Sequence, residues 1–143
     1  MHGTLVCAVT DGAENDDAVK QAVAISERLG LRLVLAQVVE GIGTLGGNGD
    51  ESITMKSDRK LAERGLEELA RDHDLDERAW RRVAVGDPVE ALGQIASEEA
   101  ADVIVVGARA RGWRGRGLES RLAQALEAET PVPVVIAPPR RRR

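Results

Sequence analysis

The sequence predicts an α/β fold: a single domain on an open, five-stranded parallel sheet with helices on both faces. Three observations predict it. The 143 residues suit one ordinary domain, with little room for a second. Strand-like and helix-like segments alternate as β-α-β-α-β-α-β-α-β, the order that gives a parallel sheet with right-handed crossovers. The strand-like runs are nearly continuous in apolar residues, as strands buried on both faces require.

The first strand is Thr4-Leu5-Val6-Cys7-Ala8-Val9, ended by the turn signal Thr10-Asp11-Gly12. Ala18, Val19, Ala22, Val23, Ile25 and Leu29 then recur at helical spacing, closed by Gly30. Asp16 and Asp17 fall in the first turn of that helix, where its dipole favours them. Residues 31–39 form the second strand, and a glycine-rich loop over 41–49 follows. That loop lacks the Gly-Lys-Ser/Thr of a phosphate loop. A second helix runs from about Ser52 to Asp72, with Leu61, Leu66, Leu69 and Ala70 expected to face inward. Residues 79–85 are a less apolar third strand, expected nearer an edge. Gly86-Asp87-Pro88 turns the chain, with Pro88 suited to the first helical position and Val89, Leu92, Ile95 and Ala96 as the apolar face. The fourth strand, 102–107, is strongly β-branched. A fourth helix runs from about Leu118 to Ala128. Residues 131–137 are the fifth strand. Pro131 and Pro133 cannot donate to a ladder, so its start should lie at an edge or outside the sheet. The domain is expected over residues 1–138, with 139–143 a disordered basic tail after Pro138-Pro139.

Composition narrows the function. Charged residues are 31% and hydrophobic ones 43%, a soluble globular balance. The net charge of −4 argues against a DNA-coating protein, and with two Trp, no Phe and no Tyr the chain cannot build a base-stacking platform. One cysteine, Cys7, excludes an internal disulfide and a multi-cysteine zinc site. No apolar run approaches the roughly 20 residues of a membrane span. The start of the chain lacks a cleavable signal pattern, so a cytoplasmic location is expected.

The charge is unevenly spread. Residues 1–108 hold 11 basic and 21 acidic groups, whereas 109–121 hold five arginines and one glutamate. A basic, glycine-containing loop on an acidic body suggests an anion site, although a solvated loop has the same composition. Topology favours the site. In open α/β sheets ligands bind beyond the carboxyl ends of the strands, near the reversal of strand order. That rim collects Asp11, Val38-Val39, Gly86-Asp87 and residues 107–121. Gly107-Ala108-Arg109-Ala110-Arg111-Gly112 leaves a strand and leads toward a helix start, where backbone N–H groups can hold an anion. Asp11 either accepts from an adenine amino group or ribose hydroxyl, or simply stabilises its turn. Val38 would offer its backbone to a base edge. Trp113 caps an apolar patch or lies against a partner subunit.

Catalysis finds little support. His2 and His73 read as surface histidines, without an acid–base partner at a recognised spacing. Cys7 reads as a small buried apolar group. Glu67-Glu68 and Glu98-Glu99 read as ordinary solvent-facing pairs. No spacing supplies convergent metal ligands. The segment after the first strand lacks the Gly-x-Gly-x-x-Gly of a dinucleotide dehydrogenase and the Ser-Gly-Gly-type loop of an adenylating pyrophosphatase. Pro138-Pro139 stands where a phospho-receiver domain carries a lysine.

Five blocks together resemble the universal stress protein family over essentially the whole chain. They are Val9-Thr10-Asp11-Gly12, Gln37-Val38-Val39-Glu40, Val85-Gly86-Asp87-Pro88, the run from Ala101 to Gly107, and the run from Pro131 to Ile136. The resemblance implies a five-stranded parallel fold. It also implies a homodimer, often formed by antiparallel pairing of the last strands, and, in many members, ATP binding with magnesium. Nucleotide-binding members carry Gly, two residues, Gly, nine residues, then Gly with Ser or Thr. Here Gly107 matches the first position, and Ala110, Ser120 and Arg121 occupy the others. Asp11 and Val38 match the adenine side, and Arg109 sits where an arginine is common. Ala110 adds a methyl where phosphate would approach, and is strained if the site needs a positive φ. Arg121 replaces a hydroxyl contact with a cation or fills the pocket itself. The resemblance thus implies a stress-response or signalling homodimer that binds ATP or another adenine nucleotide. The alternative is a member that has lost its nucleotide and works through protein partners, and an α/β nucleotide hydrolase or adenylating enzyme ranks below both.

Overall fold

A computed structural model of the chain describes residues 3–9, 15–39, 53–75, 77–107 and 118–137. Nine elements alternate as expected: β1 (Thr4–Val9), α1 (Asn15–Leu29), β2 (Arg32–Val39), α2 (Ile53–Asp72), β3 (Ala79–Val85), α3 (Pro88–Glu98), β4 (Val103–Gly107), α4 (Leu118–Glu129) and β5 (Val134–Ala137). The five strands form one parallel sheet in the order β3-β2-β1-β4-β5. β1 is central and every residue in it is buried, which explains its unbroken apolar run. β3 is an edge strand, as its composition suggested. β5 starts at Val134, so both prolines precede the strand, and Pro133 contributes to the ladder only as an acceptor, its carbonyl taking the Ile104 N–H at 2.9 Å.

The pleat of β1 divides the core. Leu5, Cys7 and Val9 face one side, against Ala18, Val19 and Ala22 of α1 and Leu66 and Ala70 of α2. Val6 and Ala8 face the other, against Leu92, Ile95 and Ala96 of α3 and Leu126 of α4. Small residues on the helices let them lie close to the sheet.

The helix ends follow from local chemistry. Gly30 takes φ +65°, and the Leu31 N–H reaches back to the Ser26 carbonyl at 2.8 Å, ending α1. Pro88 opens α3 and the Asp87 carboxylate accepts the Glu90 N–H at 3.1 Å, capping it. α3 ends on Ala100 at φ +52°, with the Ala101 N–H donating to the Ala96 carbonyl at 2.8 Å.

Two expectations about side chains fail. Leu61 does not face inward; it is 64% exposed. The buried stripe of α2 is Ala62, Leu66 and Ala70, with Leu69 packed beside it. At about 100° per residue Leu61 falls well outside that arc. Glu98 and Glu99 are not idle surface carboxylates. Both accept from Arg82, at 2.6 and 2.9 Å, and Glu99 also accepts from Arg32 at 2.8 Å. The Arg82 guanidinium beside it holds the Glu98 carboxyl below its ordinary range.

Candidate functional site

Because all strands are parallel, Val9, Val39, Val85, Gly107 and Ala137 end on one lip of the sheet. The chain moves outward from β1 through β2 to β3, then returns to β4 on the opposite side of β1. The reversal therefore lies between β1 and β4, where a cleft for a ligand forms in such sheets. Cys7 is level with Val105, so two residues on, Val9 is level with Gly107. The ends of β1 and β4 stand side by side.

Gly107 sits against Ala18 near the start of α1, and a Cβ added to Gly107 would meet the Ala18 Cβ at 3.7 Å. Two small residues thus bring α1 close to the end of β4. Sequence reasoning identified Gly107 but missed Ala18. Its signal was the small side chain at the first inward position of α1.

Val38 is half-buried at the end of β2. The Gly86 N–H donates to the Val39 carbonyl at 2.9 Å, which turns Val39 toward β3. Backbone direction alternates along a strand. Val38 therefore turns its carbonyl toward the β1 side, and the β1–β2 ladder has already ended at Val9 and Gln37. A carbonyl past the end of its neighbour strand can accept from a ligand's amino group, as expected for a base edge. Ser120 and Arg121 belong to the first turn of α4, which follows β4 and starts on the same lip. Asp11, Arg109 and Ala110 lie outside the described residues, as do Trp113 and the tail after Ala137. Asp87 also stands on the lip, but its carboxylate is engaged as the α3 cap.

The described residues offer little for catalysis. They contain no cluster of three potential metal ligands. Cys7 is fully buried in β1, and burial pushes its thiol up to about 12, so it is no nucleophile at neutral pH. His73 is less open than a surface histidine, because its ring hydrogen-bonds the Asp16 carboxylate at 2.9 Å. Two clefts of about 400 and 490 Å³, lined around Pro131–Val134 and around Gly30–Leu33, open where the strands begin, opposite the lip. No described helix is long and apolar enough to cross a membrane.

A doubly wound α/β domain whose strand order reverses between β1 and β4 is therefore the class of protein the geometry defines. The Universal stress protein family matches residues 1–138, and the chain belongs to that family. Solved structures share the fold at low identity. A universal stress protein in complex with cAMP is 19% identical with a TM-score of 0.70, over 94% of this chain and 96% of that one. The UspA protein of Lactobacillus plantarum is 15% identical with a TM-score of 0.72, over 96% and 99%. A universal stress protein of Archaeoglobus fulgidus in complex with dAMP is 14% identical with a TM-score of 0.66, over 94% and 97%. No curated protein sequence matches the chain.

Proposed function

We propose that this protein is a cytoplasmic, homodimeric stress-response protein that binds an adenine nucleotide, ATP with magnesium foremost, on the lip between β1 and β4. One observation carries the reading: the ends of β1 and β4 stand side by side at the strand reversal, with the Val38 carbonyl turned toward the same place. The cAMP and dAMP complexes of two structural relatives support the ligand class. In this reading Asp11 and the Val38 backbone hold the adenosine. The phosphates lie along Gly107, Arg109, Ala110, Ser120 and Arg121, where an arginine-rich loop supplies positive charge. The role is binding rather than turnover, since among the described residues the lip carboxylate Asp87 is engaged in a cap.

Isothermal titration with ATP and magnesium tests this. Saturable binding that Asp11→Ala weakens is expected, with any ATP turnover slow. Absence of binding at millimolar nucleotide would overturn the reading. The second reading, a member acting through protein partners alone, would then stand. It is favoured by Ala110, Ser120 and Arg121 at positions where nucleotide-binding members of the family carry glycine, glycine and a hydroxyl residue.

A further inference from the structure

β3 closes one side of the sheet and pairs with β2 alone among the described strands. Gly86 faces β2 through its bond to Val39. Counting back along the alternation, Ala84, Arg82 and Trp80 face β2, while Val85, Val83 and Arg81 turn their N–H and C=O groups outward. At seven residues this open edge is longer than that of β5, which has four.

The edge carries one uncommitted cation and an aromatic platform. β3 contains Arg81 and Arg82 and no acidic residue. Arg82 is committed to Glu98 and Glu99, and Arg78, just ahead of the strand, to Glu27 at 3.3 Å. Arg81 is exposed and has no ion-pair partner among the described residues. On the opposite face of the strand Trp80 is 60% exposed. The Arg32 guanidinium lies 5.6 Å from its ring centroid and is itself fixed by Glu99. The indole is thus a pre-positioned apolar surface next to an uncommitted cation and a row of open backbone groups.

A second copy of the chain fits this edge poorly. Antiparallel self-pairing over the full strand would set Arg81 opposite Val83 and leave it without a carboxylate, since β3 contains no acidic residue. A single-stranded nucleic acid stacks successive bases on several aromatic rings, and β3 offers one, Trp80. We propose that β3 is a docking edge for an extended acidic peptide segment of another protein, added as a sixth strand. Consecutive residues of that segment point to opposite faces, so an apolar side chain lies on Trp80 and the adjacent carboxylate pairs with Arg81. The edge is separated from the β1–β4 reversal by β2 and the proposal does not depend on nucleotide.

Fluorescence of a Trp113→Phe variant, which leaves Trp80 as the reporter, tests it. The probe is a peptide of about seven residues alternating valine and glutamate, the length of the open edge. A saturable change is expected, weakened roughly fivefold or more by Arg81→Glu, the scale of one exposed ion pair reversed. The same peptide with every amide N-methylated, or with lysine for glutamate, should not bind. No saturable change at millimolar peptide, or equal binding of the methylated or lysine peptides, would overturn the proposal. So would tighter binding of dye-labelled oligo(dT), read by the anisotropy of the dye, that Trp80→Ala abolishes, which would assign the edge to nucleic acid. Arg81 and Trp80 are both exposed, and circular dichroism confirms that each variant remains folded.

Discussion

Cys7 shows how burial alone sets the chemistry of a side chain. Its thiol lies in the central strand with no exposed surface, and transfer of a thiolate there is opposed by desolvation. The native state holds the proton more tightly than the unfolded chain does, with a value of about 12 against 9.0. The stability this contributes is complete below pH 9 and is lost as pH rises toward 12. Iodoacetamide should leave Cys7 unmodified in the folded protein at pH 8 and label it once denaturant unfolds the chain, as read by mass spectrometry. Ala100 is a second residue-scale case. It ends α3 at φ +52°, a conformation that costs a residue with a Cβ. Ala100→Gly should raise stability by about 1 kcal/mol in urea unfolding, the scale of the left-handed penalty.

At the scale of elements, α2 separates residues that composition alone cannot. Leu61 and Leu66 are chemically identical and five positions apart, yet one is exposed and the other fully buried. Leu66→Ala should therefore cost about 2–5 kcal/mol through the cavity it leaves. Leu61→Lys should change stability by less than about 0.5 kcal/mol. The contrast, measured by chemical denaturation, checks the orientation of the helix on the sheet. The periodic run of residues was legible in the sequence, but the centre of its buried arc was not. A stripe of Ala62, Leu66 and Ala70 with Leu69 beside it carries two alanines, which a hydrophobicity reading undervalues against a nearby leucine. The ion pairs joining Arg82 to Glu98 and Glu99 were equally hidden, because β3 and α3 meet only after the crossover folds.

For the whole molecule, the two sheet edges differ. β5 leaves Val135 and Ile136 each 37% exposed, an apolar edge of the kind that pairs with another strand. The proposed homodimer uses that edge. Ile136→Lys should shift sedimentation to a monomer while leaving the circular dichroism unchanged, and an unaltered dimer would show that another surface holds it. β3 instead exposes Arg81 and Trp80 and contains no acidic residue that a second copy could set against the arginine. The two edges are thereby suited to different occupants.

The sequence by itself determined the order and type of all nine elements, the inability of Pro131 and Pro133 to donate to the sheet, and the peripheral character of β3. Each is set by local chemistry: continuous apolar runs, helical periodicity, turn residues and prolines without a donor. Only the tertiary structure decided that Val9 stands level with Gly107, that the Val38 carbonyl turns toward the β1 side, that Ala18 packs under the end of β4, and that Arg32 fixes Trp80. These depend on strand register and helix rotation, which arise from contacts between residues far apart in the chain and carry no local signature.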